Sequence, residues 1–109
     1  MAVDKALLSG STAMLILKLL EEKDMYGYEM IEELRKRSQN VFELKAGTLY
    51  PLLHLLEEKS LLTSYEKAVN GKTRKYYGVT EEGKRYFQQK KEEWTHFTDA
   101  VNSIICMEV

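Results

Sequence analysis

Leu49, Leu52, Leu53 and Leu56 stand at i, i+3, i+4 and i+7 inside the stretch KAGTLYPLLHLLEEKSLL, residues 45–62. At 3.6 residues per turn that spacing puts all four on one face of a helix and commits the face to a core. The only proline of the chain, Pro51, lies within the same stretch. In a helix interior a proline removes a backbone hydrogen bond, crowds the carbonyl four residues back and costs about 3 kcal/mol. The cost falls near the start, where the N–H groups have no partner within the helix. Both constraints are met by a helix that begins at about Gly47 or Thr48, with Pro51 in or just after its first turn. Gly47, Pro51, His54 and Glu58 then share the face opposite the leucines.

Two further helices precede this one. Ser11 and Thr12 lead into AMLILKLLEEK, where Met14, Leu15, Leu17, Leu19 and Leu20 surround a short helix on most sides, the pattern of an element buried by neighbours. DMYGYEMIEELRKRS is more amphipathic. Met30, Ile31 and Leu34 form one apolar stripe, and Arg35, Lys36 and Arg37 sit at the end where the helix dipole favours positive charge.

After Leu62 the period changes. Asn70-Gly71 is the pair suited to a two-residue hairpin turn, because both central residues need positive φ, and Thr, Tyr and Val flank it. This predicts strands over 62–68 and 74–79, with Tyr77 facing inward. Lys67, Lys72, Arg74 and Lys75 stand in this hairpin against Glu66 alone, an imbalance beyond what solubility requires. Thr80 is positioned to cap a last helix, with Glu81 and Glu82 in its first turn. Nothing except Gly83 interrupts that helix up to about Met107. Its roughly 39 Å, from about 26 residues at ~1.5 Å each, exceed what so small a domain can cover. Trp94, Phe97, Val101 and Ile104, flanked by Thr98 and Ile105, repeat at alternating spacings of three and four, the seam of a coiled coil. A two-fold homodimer is the expected partner of that seam.

Three short helices followed by a basic hairpin describe a winged helix-turn-helix, a mainly α (α+β) fold with a two-stranded wing and a long C-terminal dimerisation helix. Its expected partner is double-stranded DNA. Residues 1–80 make the winged-helix part and 81–109 the dimerisation helix, in one continuous unit sized for a single core among the 109 residues. The third helix enters the major groove by its N-terminus. Gly47 lets backbone N–H groups approach a phosphate, Thr48, Tyr50 and His54 offer hydrogen bonds, and Lys45, Lys72, Arg74 and Lys75 supply charge. That helix has no arginine or asparagine on its exposed face to read a base pair bidentately. Shape and half-site spacing are therefore expected to carry much of the specificity. The net charge of −1 requires that the basic footprint be local.

Other classes fit poorly. No nucleophile with a base, no carboxylate pair and no glycine-rich phosphate loop suggests an enzyme, and His54 and His96 lack metal-ligand spacing. No cofactor is expected. Cys106 is the only cysteine and is read as a small hydrophobe. The longest apolar run is too short to cross a membrane, and MAVDKALLSG does not have the pattern of a signal peptide; the expected location is the cytoplasm, on the nucleoid when DNA is bound. A dimeric winged helix that binds proteins instead of DNA is the competing reading, which the basic wing disfavours because protein interfaces deplete lysine.

MYGYEM at 25–30, GTLYPLLHLLEEKSLL at 47–62 and RKYYGVTEEGKR at 74–85 together resemble the PadR family of bacterial winged-helix transcription regulators, in the family's order and spacing. The Leu-Tyr-Pro element of the family corresponds to Leu49, Tyr50 and Pro51, and its Tyr-x-x-Thr-x-x-Gly to Tyr77, Thr80 and Gly83. The resemblance implies a homodimeric regulator, commonly a repressor of detoxification or efflux genes. A single helix after the wing is similar to the short-form subfamily, some members of which bind planar aromatic or phenolic compounds between paired tryptophans. On that resemblance Trp94, with Thr98 one turn on and Met14 from the first helix, is the candidate effector site.

Overall fold

The computed structural model describes residues 7, 8 and 10–106. Its elements run α1 (Thr12–Glu22), β1 (Met25–Tyr26), α2 (Gly27–Arg37), α3 (Ala46–Glu58), β2 (Leu62–Val69), β3 (Lys72–Val79) and α4 (Glu81–Ile105). The strands form one antiparallel sheet in the order β1-β3-β2. This is the winged helix expected from the sequence, with a third strand added. The expected end of α4 at Met107 lies outside the described residues, as do residues 1–6.

The apolar stripes converge on a single core. Ile16, Leu17, Leu19 and Leu20 of α1 meet Met30 and Leu34 of α2, Leu49, Leu53 and Leu56 of α3, Tyr77 of β3 and Phe87 of α4. Leu52, predicted on the buried stripe, is half-buried at its margin. Tyr77 faces inward and is 1% exposed.

Helix α3 starts at Ala46, one residue before the earliest predicted start, so Pro51 stands in its second turn. The hydrogen bond that Pro51 forgoes would have gone to the carbonyl of Gly47. Both residues lie on the exposed face of α3, where solvent can replace the missing donor.

The strands are longer than predicted, because the ladder continues to the turn with Val69 opposite Lys72. Asn70 and Gly71 adopt φ of 52° and 77°, the geometry their pairing predicted. Strand β1 was not anticipated; its two residues read as the approach to α2. Met25 pairs with Tyr77 and Tyr26 with Tyr76, which ties α2 to the wing.

One corner joins α3, the wing and the last helix. Ser60 turns the chain out of α3 with a positive φ of 62°. The Thr80 hydroxyl donates to the Ser60 carbonyl at 2.7 Å and accepts the Gly83 N–H at 3.0 Å, while the Thr80 N–H donates to the Leu61 carbonyl at 3.1 Å. Thr80 is thus the predicted N-cap and also a fastener. Gly83 is buried directly beneath the Leu61 carbonyl, where any Cβ would collide with that oxygen.

These contacts predict opposite signs for two glycine-to-alanine changes. Gly83→Ala forces backbone apart and should cost about 1–3 kcal/mol. Gly47→Ala, with nothing within 4 Å of the new methyl, should gain up to about 1 kcal/mol from helix propensity. Urea unfolding of both variants checks the pair; a neutral Gly83→Ala would contradict the close approach.

Candidate nucleic-acid interface

Strand β1 stops at Tyr26 because the chain turns there into α2, whereas β3 extends outward to Lys72. The edge of β3 at Arg74 and Lys75 is left uncovered by β1. Between this edge, the start of α2 and the exposed side of α3 opens a cleft of about 330 Å³, lined among others by Tyr26, Tyr28, Tyr50, His54, Arg74 and Lys75. Four residues predicted separately on α3 and on the wing therefore meet at one place: Tyr50, His54, Arg74 and Lys75. The others flank it. Lys45 is the exposed N-cap of α3, Gly47 and Thr48 are exposed in its first turn, and Lys72 is exposed beside the hairpin turn.

Local packing positions these side chains. Tyr50 lies against Gly27, which is buried, and a Cβ at Gly27 would collide with the Tyr50 hydroxyl and ring. Glu29 reaches back to the Tyr26 N–H at 3.3 Å and satisfies a free donor at the start of α2. The Arg74 guanidinium lies 4.4 Å from the centre of the Tyr26 ring. Lys75 comes within 3.9 Å of Glu57, whose other oxygen accepts the Ser64 hydroxyl at 2.6 Å. Glu57 thereby pins the base of the wing to α3. Sequence reasoning missed Tyr26 and Tyr28. The two tyrosines flanking a glycine in MYGYEM were the available signal, and Tyr28 is 59% exposed.

A second cavity, about 390 Å³, opens between α1 and α4 with Ala13, Met14, Tyr86, Lys90, Trp94 and Phe97 among its lining residues. It brings Met14 and Trp94 together in one lining. Thr98 is not in its lining; the hydroxyl donates to the Trp94 and Thr95 carbonyls at 2.9 and 3.2 Å and so turns back on its own helix. Trp94 and Phe97 stand 6.2 Å apart, centre to centre. Beyond Phe87 no described residue of α4 is buried. Phe97, Ile104 and Ile105 are 58%, 72% and 70% exposed, Trp94 is 37% exposed and Val101 is half-buried.

Among the described residues, no group of three His, Cys, Asp or Glu side chains could hold a metal ion, and no helix is long and apolar enough to cross a membrane.

The family model described as "Transcriptional regulator PadR-like family" matches residues 16–89. The transcriptional regulator YqjI of Escherichia coli is 32% identical over 84 residues, which are 77% of this chain but only 39% of that protein. A transcriptional regulator from Clostridium thermocellum superposes with a TM-score of 0.87 at 34% identity, over 93% of this chain and 99% of that one. A PadR family transcriptional regulator from Eggerthella lenta gives 0.83 at 33% identity, over 94% and 88%.

The seat of Tyr50 is testable without DNA. Gly27→Ala should displace the partly exposed Tyr50 ring into solvent while changing stability by less than about 1 kcal/mol, because the obstructing group is the end of a movable side chain and alanine favours the helix. Tyr50 ring-proton shifts should move toward solvent-exposed values. Unchanged shifts would contradict the contact.

Proposed function

The chain belongs to the PadR-like family of transcriptional regulators, a class of DNA-binding proteins and not of enzymes, and from that premise we propose that it binds operator DNA as a homodimer and represses the genes it controls. The observation that carries the reading is the convergence of Tyr50 and His54 from α3 with Arg74 and Lys75 from the wing on one cleft, while the leucine stripe of α3 is turned into the core. In this reading α3 enters the major groove. Gly47 and Thr48 approach phosphates at its N-terminus, Tyr50 and His54 contact backbone or base edges, and Lys45, Lys72, Arg74 and Lys75 neutralise phosphates. Residues 1–80 act as the DNA-binding part and 81–109 as the dimerisation helix. Such a regulator works where the chromosome is, so we place it in the bacterial cytoplasm, on the nucleoid.

The exposed seam of α4 supports the homodimer. Among the described residues, Phe97, Ile104 and Ile105 are largely exposed and Trp94 and Val101 only partly covered, and a second copy related by a two-fold axis would cover them. The cavity shared by Met14 and Trp94 borders that seam, which suits a small planar aromatic or phenolic effector stacked on Trp94, as in a short-form member of the family.

Two measurements test these readings. A duplex covering the protein's own promoter should bind with an affinity that falls as salt rises, and Lys72→Gln should lower the slope of log K against log salt by about 1; no binding at low salt would sink the regulator. A combined Phe97→Glu and Ile104→Glu variant should sediment as a monomer and lose the quenching of Trp94 fluorescence by planar aromatic dyes. Trp94 is the only tryptophan, so the signal reports that site alone. A dimeric variant, or a wild-type protein whose fluorescence no dye alters, would contradict the corresponding part.

A further inference from the structure

Three tyrosines cross the sheet in a single row. Tyr26 of β1 is in register with Tyr76 of β3, and Tyr76 with Tyr65 of β2. Their rings touch in sequence: Tyr65 stacks on Tyr76 with centres 5.9 Å apart and 16° between planes, and Tyr76 meets Tyr26 edge-on at 5.5 Å and 68°. The row is anchored at its far end. The Tyr65 hydroxyl donates to Asp24 Oδ2 at 2.7 Å, and Asp24 immediately precedes β1, so this bond ties β2 back to the segment that carries Tyr26. Gly78 makes room for it, since a Cβ there would come within 2.7 Å of Asp24 Oδ1.

Arg74 is two residues before Tyr76 on β3 and therefore on the same face of the strand. Its guanidinium lies over the free end of the row, 4.4 Å from the centre of the Tyr26 ring. Arg35 and Arg37 are paired with glutamates, whereas among the described residues Arg74 has no carboxylate partner. Its charge is supported but not neutralised. Stacking occupies the flat face of a guanidinium and leaves its N–H donors free in the plane.

We propose that Tyr26 is a positioning residue for Arg74, holding the guanidinium flat on a braced ring so that its in-plane donors face a DNA phosphate at the cleft between β3 and α3. The proposal rests on the DNA-binding reading above. The gain is preorganisation. A free arginine loses rotamer freedom when it binds, and the stack removes much of that loss in advance.

The test uses the full chain and a promoter duplex at two salt concentrations. Tyr26→Leu should weaken binding about 3- to 30-fold, the range of a cation–π contact, and Arg74→Gln at least as much. Tyr26→Phe keeps the ring and should stay within about 2-fold of wild type. The double variant Y26L/R74Q should bind no more weakly than R74Q alone, because Tyr26 acts through Arg74. In the free protein the Arg74 side-chain protons should show ring-current shifts in wild type and Y26F that vanish in Y26L. Wild-type affinity in Y26L, or a double variant showing the full product of the single losses, overturns the proposal. Should Y26L fail to fold, Arg74→Lys decides: it keeps the charge but not the planar fork, and wild-type affinity there overturns the proposal too. If the wild type binds in a salt-dependent way and R74Q binds equally well, the positioning role fails while DNA binding stands. No salt-dependent binding by the wild type overturns both.

Discussion

At the corner between α3 and β2, one short stretch of backbone fastens α3, both strands of the wing and α4 to one another. The carbonyls of Ser60 and Leu61 accept the hydroxyl and the N–H of Thr80, and Gly83 lets the first turn of α4 press onto Leu61. The exit of α3, both ends of the wing and the root of α4 are thereby fastened within a few residues. Such a corner has little freedom to adjust, because the Thr80 N–H and hydroxyl hold two successive carbonyls and the backbone of Gly83 lies directly against the Leu61 carbonyl. Any change in the angle of α4 would therefore be carried into α3 and the wing. In the proposed dimer this links the cavity walled by α1 and α4 to the spacing of the two copies of α3.

The cleft beside α3 owes its form to small residues as much as to the tyrosines and cations that line it. Gly27 lets the Tyr50 ring lie on α2, and Gly78 lets Asp24 approach the sheet and hold Tyr65. Glu57 draws Ser64 and Lys75 toward α3. The Arg37 guanidinium, bonded to Glu22 at 2.7 and 3.0 Å and to Glu33 at 3.0 Å, braces the ends of α1 and α2 behind it. Hydrogen bonding to these carboxylates raises the pKa of Arg37 further above its ordinary value and lowers that of Glu22. These pairs are largely exposed, so their contribution is orientation more than stability.

Much of the architecture was legible because it is written at short range. The leucine spacing, the Asn70-Gly71 pair and the Thr80 cap each depend on neighbours within a turn or two, and each appears where the sequence indicates. Elements with no local signature were not legible. A two-residue strand has no periodicity, so β1 could not be distinguished from the approach to α2. Tyr26 and Tyr28 joined the cleft only because β1 ends where it does. Glu57 has no local signature for its role because its partners lie seven and eighteen residues further on.

The sequence alone therefore determined which faces of the helices are apolar and where the hairpin turns, because side-chain period and backbone propensity are properties of consecutive residues. It did not determine how the wing edge, α2 and α3 enclose a cleft, that Arg74 rests on Tyr26, or that Thr98 turns away from the cavity beside Trp94. Those were decided by the tertiary structure, since they depend on distances between segments far apart in the chain, fixed only when the shared core closes and brings them into register.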